Sequence, residues 1–347
     1  MRVKLAIISF TTAIPVLLAG CGSGDEAAGT AAAGESSTIN IGFLAPAPRN
    51  DGGFTQYALA GVQAAVDADP KLKLTSIVDN ASESQEQIEG LQSLAAKNKV
   101  VVADGAVLNK AVAVVAPKYP DTHFVLIASD LEALADNVSS VTVAVGLNAM
   151  VAGAVASNES KSKKIGMIAG PEVPSSTAWY YGMAQGAKIE NPQTQVAQAY
   201  TNDYNDVGKA KQAAEAMIAN GVDQILSDLD SGSEGIYQAA DGKAGTGVYN
   251  VFALHCDENK NIIGSGIVNW SDVLKTAVTE AAAGKLASGA ISFGLKSGAL
   301  SFQFCPGKGT DEQKALAEKI TKDISDGTVT PGDGVLLPKP SYAFEQR

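Results

Sequence analysis

Asn50-Asp51-Gly52-Gly53-Phe54-Thr55-Gln56 follows an apolar run, Ile39 to Leu44, and precedes a helix-forming stretch, Gln56 to Ala68. Strand, polar glycine-rich turn and helix in that order make the first unit of a βα alternation. The turn falls at the carboxyl end of the strand, and in open α/β sheets the crevice beyond those ends is where ligands bind. Two readings stand side by side. In one, Phe54 staples the helix start into the core while Asn50, Asp51 and Gln56 cap it. In the other, the same side chains meet a ligand.

Outward from that turn the alternation continues. Leu74 to Val78, Val100 to Ala103, His123 to Ala128 and Val138 to Val143 predict strands. Between them, Ser84 to Lys97 sets Ile88, Leu91, Leu94 and Ala95 on one face and predicts a helix. Lys110 to Tyr119 predicts another, ended by Pro120. After a Gly- and Ala-rich segment, Gly146 to Ala156, the pattern restarts. Strands are expected at Ile165 to Ala169, Gln195 to Tyr200, Gln224 to Ser227, Tyr249 to Leu254 and Ile262 to Val268. Helices are expected at Ser176 to Lys188, Asn205 to Asn220, Glu234 to Ala240 and Val273 to Leu286. Asn205 or Asp206 can cap the second of these, and Gly221 suits its left-handed close. The order predicts parallel, doubly wound sheets in two lobes of one architecture.

The N-terminus has a different character. Arg2 and Lys4 precede an apolar stretch, Leu5 to Leu18, closed by Leu18-Ala19-Gly20-Cys21, so residues 1–20 read as a secretory signal. The closing tetrad resembles a bacterial lipobox, which implies cleavage before Cys21 and diacylglycerol on its thiol; an ordinary signal with an incidental Cys is the alternative. Gly22 to Ser37 lacks apolar periodicity and reads as a tether. No later run approaches a membrane span. The net charge of −11 is acidic and no Lys/Arg cluster is present, which argues against nucleic acid as a partner. With Cys21 assigned to lipid, Cys256 and Cys305 remain as a disulfide candidate or as two buried thiols.

Catalytic signatures are missing. The chain has no Gly-x-Ser-x-Gly elbow, no paired His on a helix and no Cys-x-x-Cys. Gly307-Lys308-Gly309-Thr310 lacks the order of a phosphate loop and reads as a turn. Only His123 and His255 are present, too few for a histidine metal site, so no metal, no cofactor and no catalytic residue is expected. What remains is polar and aromatic residues at strand ends. In the first half these are the Asn50 to Gln56 turn, Asp104-Gly105 and Ser129-Asp130. In the second they are Pro174 to Tyr181 with Trp179, then Tyr204 and Asp206, then Asp228 to Ser233 (Asp230, Ser231 and Gly232 above all), and His255 with Asp257. Loops of two lobes meeting at one cleft make a small-molecule site.

Asn50 to Gln56 with Gly61 resembles the Asp-Asp-Lys-Ser-Phe-Asn-Gln…Gly segment of the BMP (basic membrane protein) lipoproteins. Lys164 to Gly170 with Pro174, Trp179, Gly182 and Gly186-Ala187-Lys188 resembles that family's second-lobe opening. Tyr204-Asn205-Asp206, Asn220-Gly221-Val222-Asp223 and Ala283-Gly284-Lys285 match further motifs in order. The resemblance implies a type I periplasmic-binding-protein fold, two Rossmann-like lobes joined by crossing strands, with the ligand clamped on closure. On this basis lobe 1 is expected over 38–147 and 257–288, lobe 2 over 148–256 and 289–336, and a tail over 337–347.

The better-known members of that family bind purine nucleosides for an ABC importer, which implies permease and ATPase subunits as partners of a monomer held outside the cytoplasm at the membrane. The family's base-sandwiching aromatics look like Phe54 and Trp179 here. Its ribose-binding Asp falls on His255, with Asp257 nearby, and its Lys falls on Asn269. A cleft without that carboxylate and that Lys should bond a different set of groups, so a flat, purine-like ligand is expected rather than a particular nucleoside. A sugar or signalling ligand, a sensor subunit for a receptor kinase, and, last, a lipid-anchored hydrolase are the alternatives.

Overall fold

The computed structural model describes residues 38–50, 54–128 and 135–336, and the backbone of 345–346. The expected signal, Cys21, the tether, Asp51, Ser129, Asp130 and most of the tail lie outside the described residues.

The first half runs β1 (Ile39–Leu44), α1 (Phe54–Ala68), β2 (Leu72–Val78), α2 (Ser84–Ala95), β3 (Val100–Asp104), α3 (Asn109–Val115), β4 (His123–Ile127) and β5 (Val138–Val143). Then come α4 (Val145–Glu159), β6 (Lys164–Ala169), α5 (Pro174–Glu190), β7 (Gln195–Tyr200), α6 (Val207–Ala219), β8 (Gln224–Asp228), α7 (Ser233–Ala240) and β9 (Gly247–Phe252). The chain ends with β10 (Ile262–Val268), α8 (Trp270–Ala282), β11 (Gly289–Phe293), β12 (Leu300–Phe304), α9 (Asp311–Ser325) and β13 (Glu345–Gln346). One sheet has the order β13-β11-β5-β4-β3-β1-β2 and the other β12-β10-β9-β8-β6-β7. Among the described residues all pairings are parallel except β12 against β10. The central strands are buried along their whole length, β3 and β5 at every residue, as sheets covered on both faces require.

Between β5 and β12 the chain passes between the sheets three times. It leaves the first sheet after β5 to enter α4, leaves the second after β10 to enter α8, and returns from β11 to β12. The passages are bonded side by side: Ala144 N–H donates to Phe293 O at 2.9 Å and Asn269 N–H to Ala299 O at 2.7 Å. This corrects the expected lobe boundaries. Residues 262–268 belong to the second sheet and 289–293 to the first, because each crossing follows the carboxyl end of its strand and not the loop before it. All three departures are from carboxyl ends, so the carboxyl edges of both sheets face the crossings.

Several expected elements shift for identifiable reasons. The strand at 249–254 ends at Phe252, whose φ of 69° breaks the extended backbone. The helix expected from Val273 starts at Trp270, because Asn269 Oδ1 accepts from Asp272 N–H at 3.2 Å and so caps it earlier. Asp206 is the residue that caps α6, accepting from Lys209 N–H at 2.9 Å, and Gly221 takes φ 87°. The 307–310 turn ends in Thr310, which caps α9 in a reciprocal pair with Gln313. Cys256 and Cys305 are bonded across 49 residues, with Cα atoms 5.5 Å apart. In the chain-entropy account a loop of that size stabilises the fold by roughly 4 kcal/mol.

The unassigned Gly- and Ala-rich segment is α4, buried from Val145 through Ser157. It packs on α5 at backbone distance. A Cβ on Gly153 would lie 2.1 Å from Met183 O, and one on Gly186 would lie 1.9 Å from Met150 O. Both clashes are with backbone, which cannot swing aside. Gly186→Ala is therefore expected to destabilise the fold by about 2–3 kcal/mol or more, as overpacking against a rigid neighbour does. Gly208→Ala on α6, where a Cβ meets only Asp206 Oδ1 at 3.4 Å, should stabilise by about 0.5–1 kcal/mol. Denaturant unfolding measures both, and equal effects would show that the α4–α5 approach is not limiting.

Candidate functional site

The carboxyl edge of the first sheet is built around α1. The strand β1 runs into Pro46 to Asn50, and Arg49 holds that run against the end of β2. Its Nε and Nη2 donate to the two oxygens of Asp79 at 2.7 and 3.0 Å, and its backbone N–H adds a third bond at 3.2 Å. The bond from Arg49 is the main cause that pulls the Asp79 carboxyl down to about 2. A depressed carboxyl keeps its pairing above the ordinary carboxylate range and loses it as pH falls through about 2. The pair is exposed, so it contributes little energy; its effect is to fix the entry to the turn.

Phe54 opens α1, half-buried, with its ring edge-on to Trp270 at 5.2 Å and 90°. Trp270 opens α8 at the second crossing and is 5% exposed, and its indole Nε1 is buried with no hydrogen-bond partner among the described residues. Beside Phe54, Thr55 Oγ1 donates to Asp104 Oδ2 at 2.7 Å, tying the helix start to the end of β3. Lobe 1 thus presents an aromatic corner backed by a buried carboxylate.

The second sheet's edge is acidic and phenolic. Asp228 ends β8, opposite Ala169 of β6, and is 4% exposed. Burial pushes its carboxyl up to about 7; Ser176 on the first turn of α5 opposes this by a hydrogen bond, and the charge of Asp230 adds to it. Tyr204 lies over Gly170, where a Cβ would come within 2.4 Å of its ring. Its carbonyl accepts from Asp230 and Gly232 N–H, each at 3.0 Å. Beyond β9, His255 Nδ1 lies 2.7 Å from Glu258 Oε1, in a loop that the neighbouring Cys256 bonds to Cys305 at the end of the second sheet.

Two α/β lobes are joined by these crossings, and each lobe presents strand-end polar groups to them. A family model described as "ABC transporter substrate-binding protein PnrA-like" matches residues 38–328. The chain belongs to this family. It is 26% identical to the ABC transporter nucleoside-binding protein BmpA of Lactococcus lactis, over 94% of this chain and 97% of that one. It is 27% identical to a purine-binding protein of Brucella abortus, over 58% and 57% of the two chains. The fold resembles an ABC solute-binding protein of Aeropyrum pernix at TM-score 0.69 and 21% identity, covering 85% of this chain and 94% of that one. A second, from Conexibacter woesei, gives TM-score 0.68 at 19% identity, covering 86% and 99%. Relatives and fold make this an ABC transporter substrate-binding protein of the Bmp family with the type I periplasmic-binding fold.

In this substrate-binding protein the residues singled out from sequence part company. Phe54, Asp104, Tyr204, Asp230, Gly232 and His255 lie at or beyond the carboxyl ends of strands. Trp179 is placed otherwise. It is fully buried on the inward side of α5, 6.3 Å from Phe252, with Gly266 leaving room for its six-membered ring. Its faces are occupied by core, so it cannot be a jaw of a stacking clamp in this conformation. Asn269 spends both side-chain atoms on the start of α8, its Nδ2 donating to Asp272 Oδ2 at 2.6 Å. Ser231 Oγ donates to Asn205 Oδ1 at 2.8 Å. Asn50, Gln56 and Asp257 are exposed. His123 is a strand residue beside Ser139, 2.8 Å away.

Sequence reasoning missed Trp270, Thr55 and Asp228 as individuals. Trp270 had one available signal, an aromatic next to a capping Asn; Asp228 stood inside a polar run with nothing to mark it as the buried member. Because the Asp228 carboxyl is raised in the folded chain, the folded state holds a proton that the unfolded state has released between about pH 4 and 7. Stability therefore falls as pH rises through that window. Asp228→Asn should remove this dependence, raising the unfolding midpoint more at pH 8 than at pH 4. An equal change at both values, by thermal unfolding, would show that the carboxyl is not raised.

Proposed function

We propose that this chain captures a flat nitrogen heterocycle, a nucleoside or free purine base, between its lobes and delivers it to the permease of an ABC importer. The observation that carries this is the Phe54–Trp270 corner at the crossings. An aromatic face on the first turn of α1, braced edge-on by a second ring, offers a stacking platform at the mouth of the cleft. The names of the nucleoside-binding and purine-binding relatives agree with it. Stacking on such a face is sequence-tolerant and contributes roughly 1–3 kcal/mol per base. Lobe closure about the three crossings would then cover the ligand, with no bond made or broken.

The chain works outside the cytoplasm on this proposal, tethered by lipid on Cys21. The Cys256–Cys305 bond suits an oxidising compartment. Cys21→Ser should abolish incorporation of labelled fatty acid and release the protein from membranes; retention of label would overturn the anchor.

Calorimetric titration with nucleosides, free bases, pentoses and hexoses tests the ligand class. Purine compounds are expected to bind, and Phe54→Ala should weaken them by roughly tenfold, the low end of the stacking range. Binding of a sugar and of no purine would sink the proposal. Unchanged purine affinity in the variant would show that Phe54 only packs.

A further inference from the structure

Asp228 is a buried carboxyl at the end of β8 that forms no ion pair among the described residues. Its strand ends beside the first turn of α5, and Gly170 N–H donates to its backbone carbonyl at 3.2 Å, so its position is rigid. The groups that influence its carboxyl are Ser176 on α5 and Asp230 in the following loop, while burial and then its own charge raise the phenols of Tyr204 and Tyr200 beside it. Glu172 adds a further negative charge beside Tyr200. Among the described residues none of the ion pairs involves Asp228. Ser176, its hydrogen-bonding neighbour, has a single hydroxyl proton and divides it between Asp228 and Pro171 O, which is 3.0 Å away. A carboxyl enclosed at 4% exposure, in a corner of like charge and without a cation, is costly to keep. Buried ionisable groups of this kind concentrate at functional sites.

The geometry points to Asp228 as the residue by which lobe 2 selects the ligand, accepting hydrogen bonds from an edge that carries two N–H donors, as the N1–H and 2-amino group of a guanine ring do. This rests on the proposed purine reading and narrows it. An ionised carboxylate only accepts, with two oxygens side by side. A guanine edge presents two donors at matching spacing, whereas hypoxanthine offers one donor and no 2-amino group. A site built around an acceptor discriminates against a ligand lacking the donor, because the buried acceptor is then left unpaired. Ligand donors also favour the ionised form, so binding should expel a proton from a carboxyl whose surroundings hold it partly protonated at neutral pH. Asp230, Glu172, Tyr200 and Tyr204 carry no positive charge that could do the same in the ligand's absence.

Guanosine and inosine, which differ only in the 2-amino group, are the probes. For the wild-type chain at pH 8, guanosine is expected to bind at least about tenfold tighter than inosine, the size of a charged hydrogen bond. In Asp228→Asn the ratio should fall to near one. Titration at pH 6.5 in buffers of different ionisation enthalpy should show proton release with guanosine in the wild type and none in the variant. If neither nucleoside binds the wild type, the purine reading fails and takes this inference with it. Binding of both with a ratio that Asp228→Asn leaves unchanged would keep the purine reading and overturn the role of Asp228. Should the variant not fold, the wild type alone decides: the guanosine preference must grow from pH 5.5 to pH 8, and a flat profile refutes it.

Discussion

The backbone contact between α4 and α5 is the constraint on which lobe 2 depends. Glycines on both helices let each main chain touch the other: Gly146 and Gly153 on α4 face Ala178 and Met183 of α5, and Gly182 and Gly186 on α5 face Gly146 and Met150 of α4. Interiors packed to crystal density transmit such positions rigidly. The height of α5 fixes where its first turn meets the end of β8, and so where Ser176 stands against Asp228. The same helix carries Trp179 inward, onto the room left by Gly266. One close approach therefore sets both a core aromatic and a strand-end carboxyl.

The two lobes contribute unlike chemistry to the crossings. Lobe 1 brings rings, Phe54 against Trp270, with the Thr55–Asp104 bond holding the helix start beneath them. Lobe 2 brings oxygen: Asp228, Asp230, Tyr204, and the His255–Glu258 pair on a loop tied down by the disulfide. Apolar faces with a few fixed polar groups are what small-molecule sites need, the first for affinity and the second for orientation. The charge balance matters as much as the shape. A ligand that enters an acid-rich half is favoured when it carries donors, and that physical preference is independent of which relatives the chain has.

Much of the fold was legible along the chain because its surface helices are amphipathic. In α2 and α6 apolar residues recur at helical spacing, and Asp206 and Gly221 mark the ends of α6 as capping chemistry predicts. The opposite case is α4. Buried from Val145 to Ser157, it has no polar face, so no period distinguishes it from a loop rich in Gly and Ala. The crossings were illegible for a related reason: a strand reads alike whichever sheet it joins, and only pairing placed β10 in the second sheet and β11 in the first.

The turn from Asn50 to Gln56 shows where the division falls. The sequence by itself determined that a strand, a turn and a helix follow one another there, that the chain alternates in this way throughout, and that two cysteines were available to pair. Those are local matters of propensity, capping and composition. Only the tertiary structure decided which tryptophan meets Phe54. Trp179 and Trp270 both stand near helix starts, and nothing in their neighbours tells a core position from one at the crossings. Burial and partnership depend on elements far apart in sequence, and so do the protonation of Asp228 and the corner it occupies.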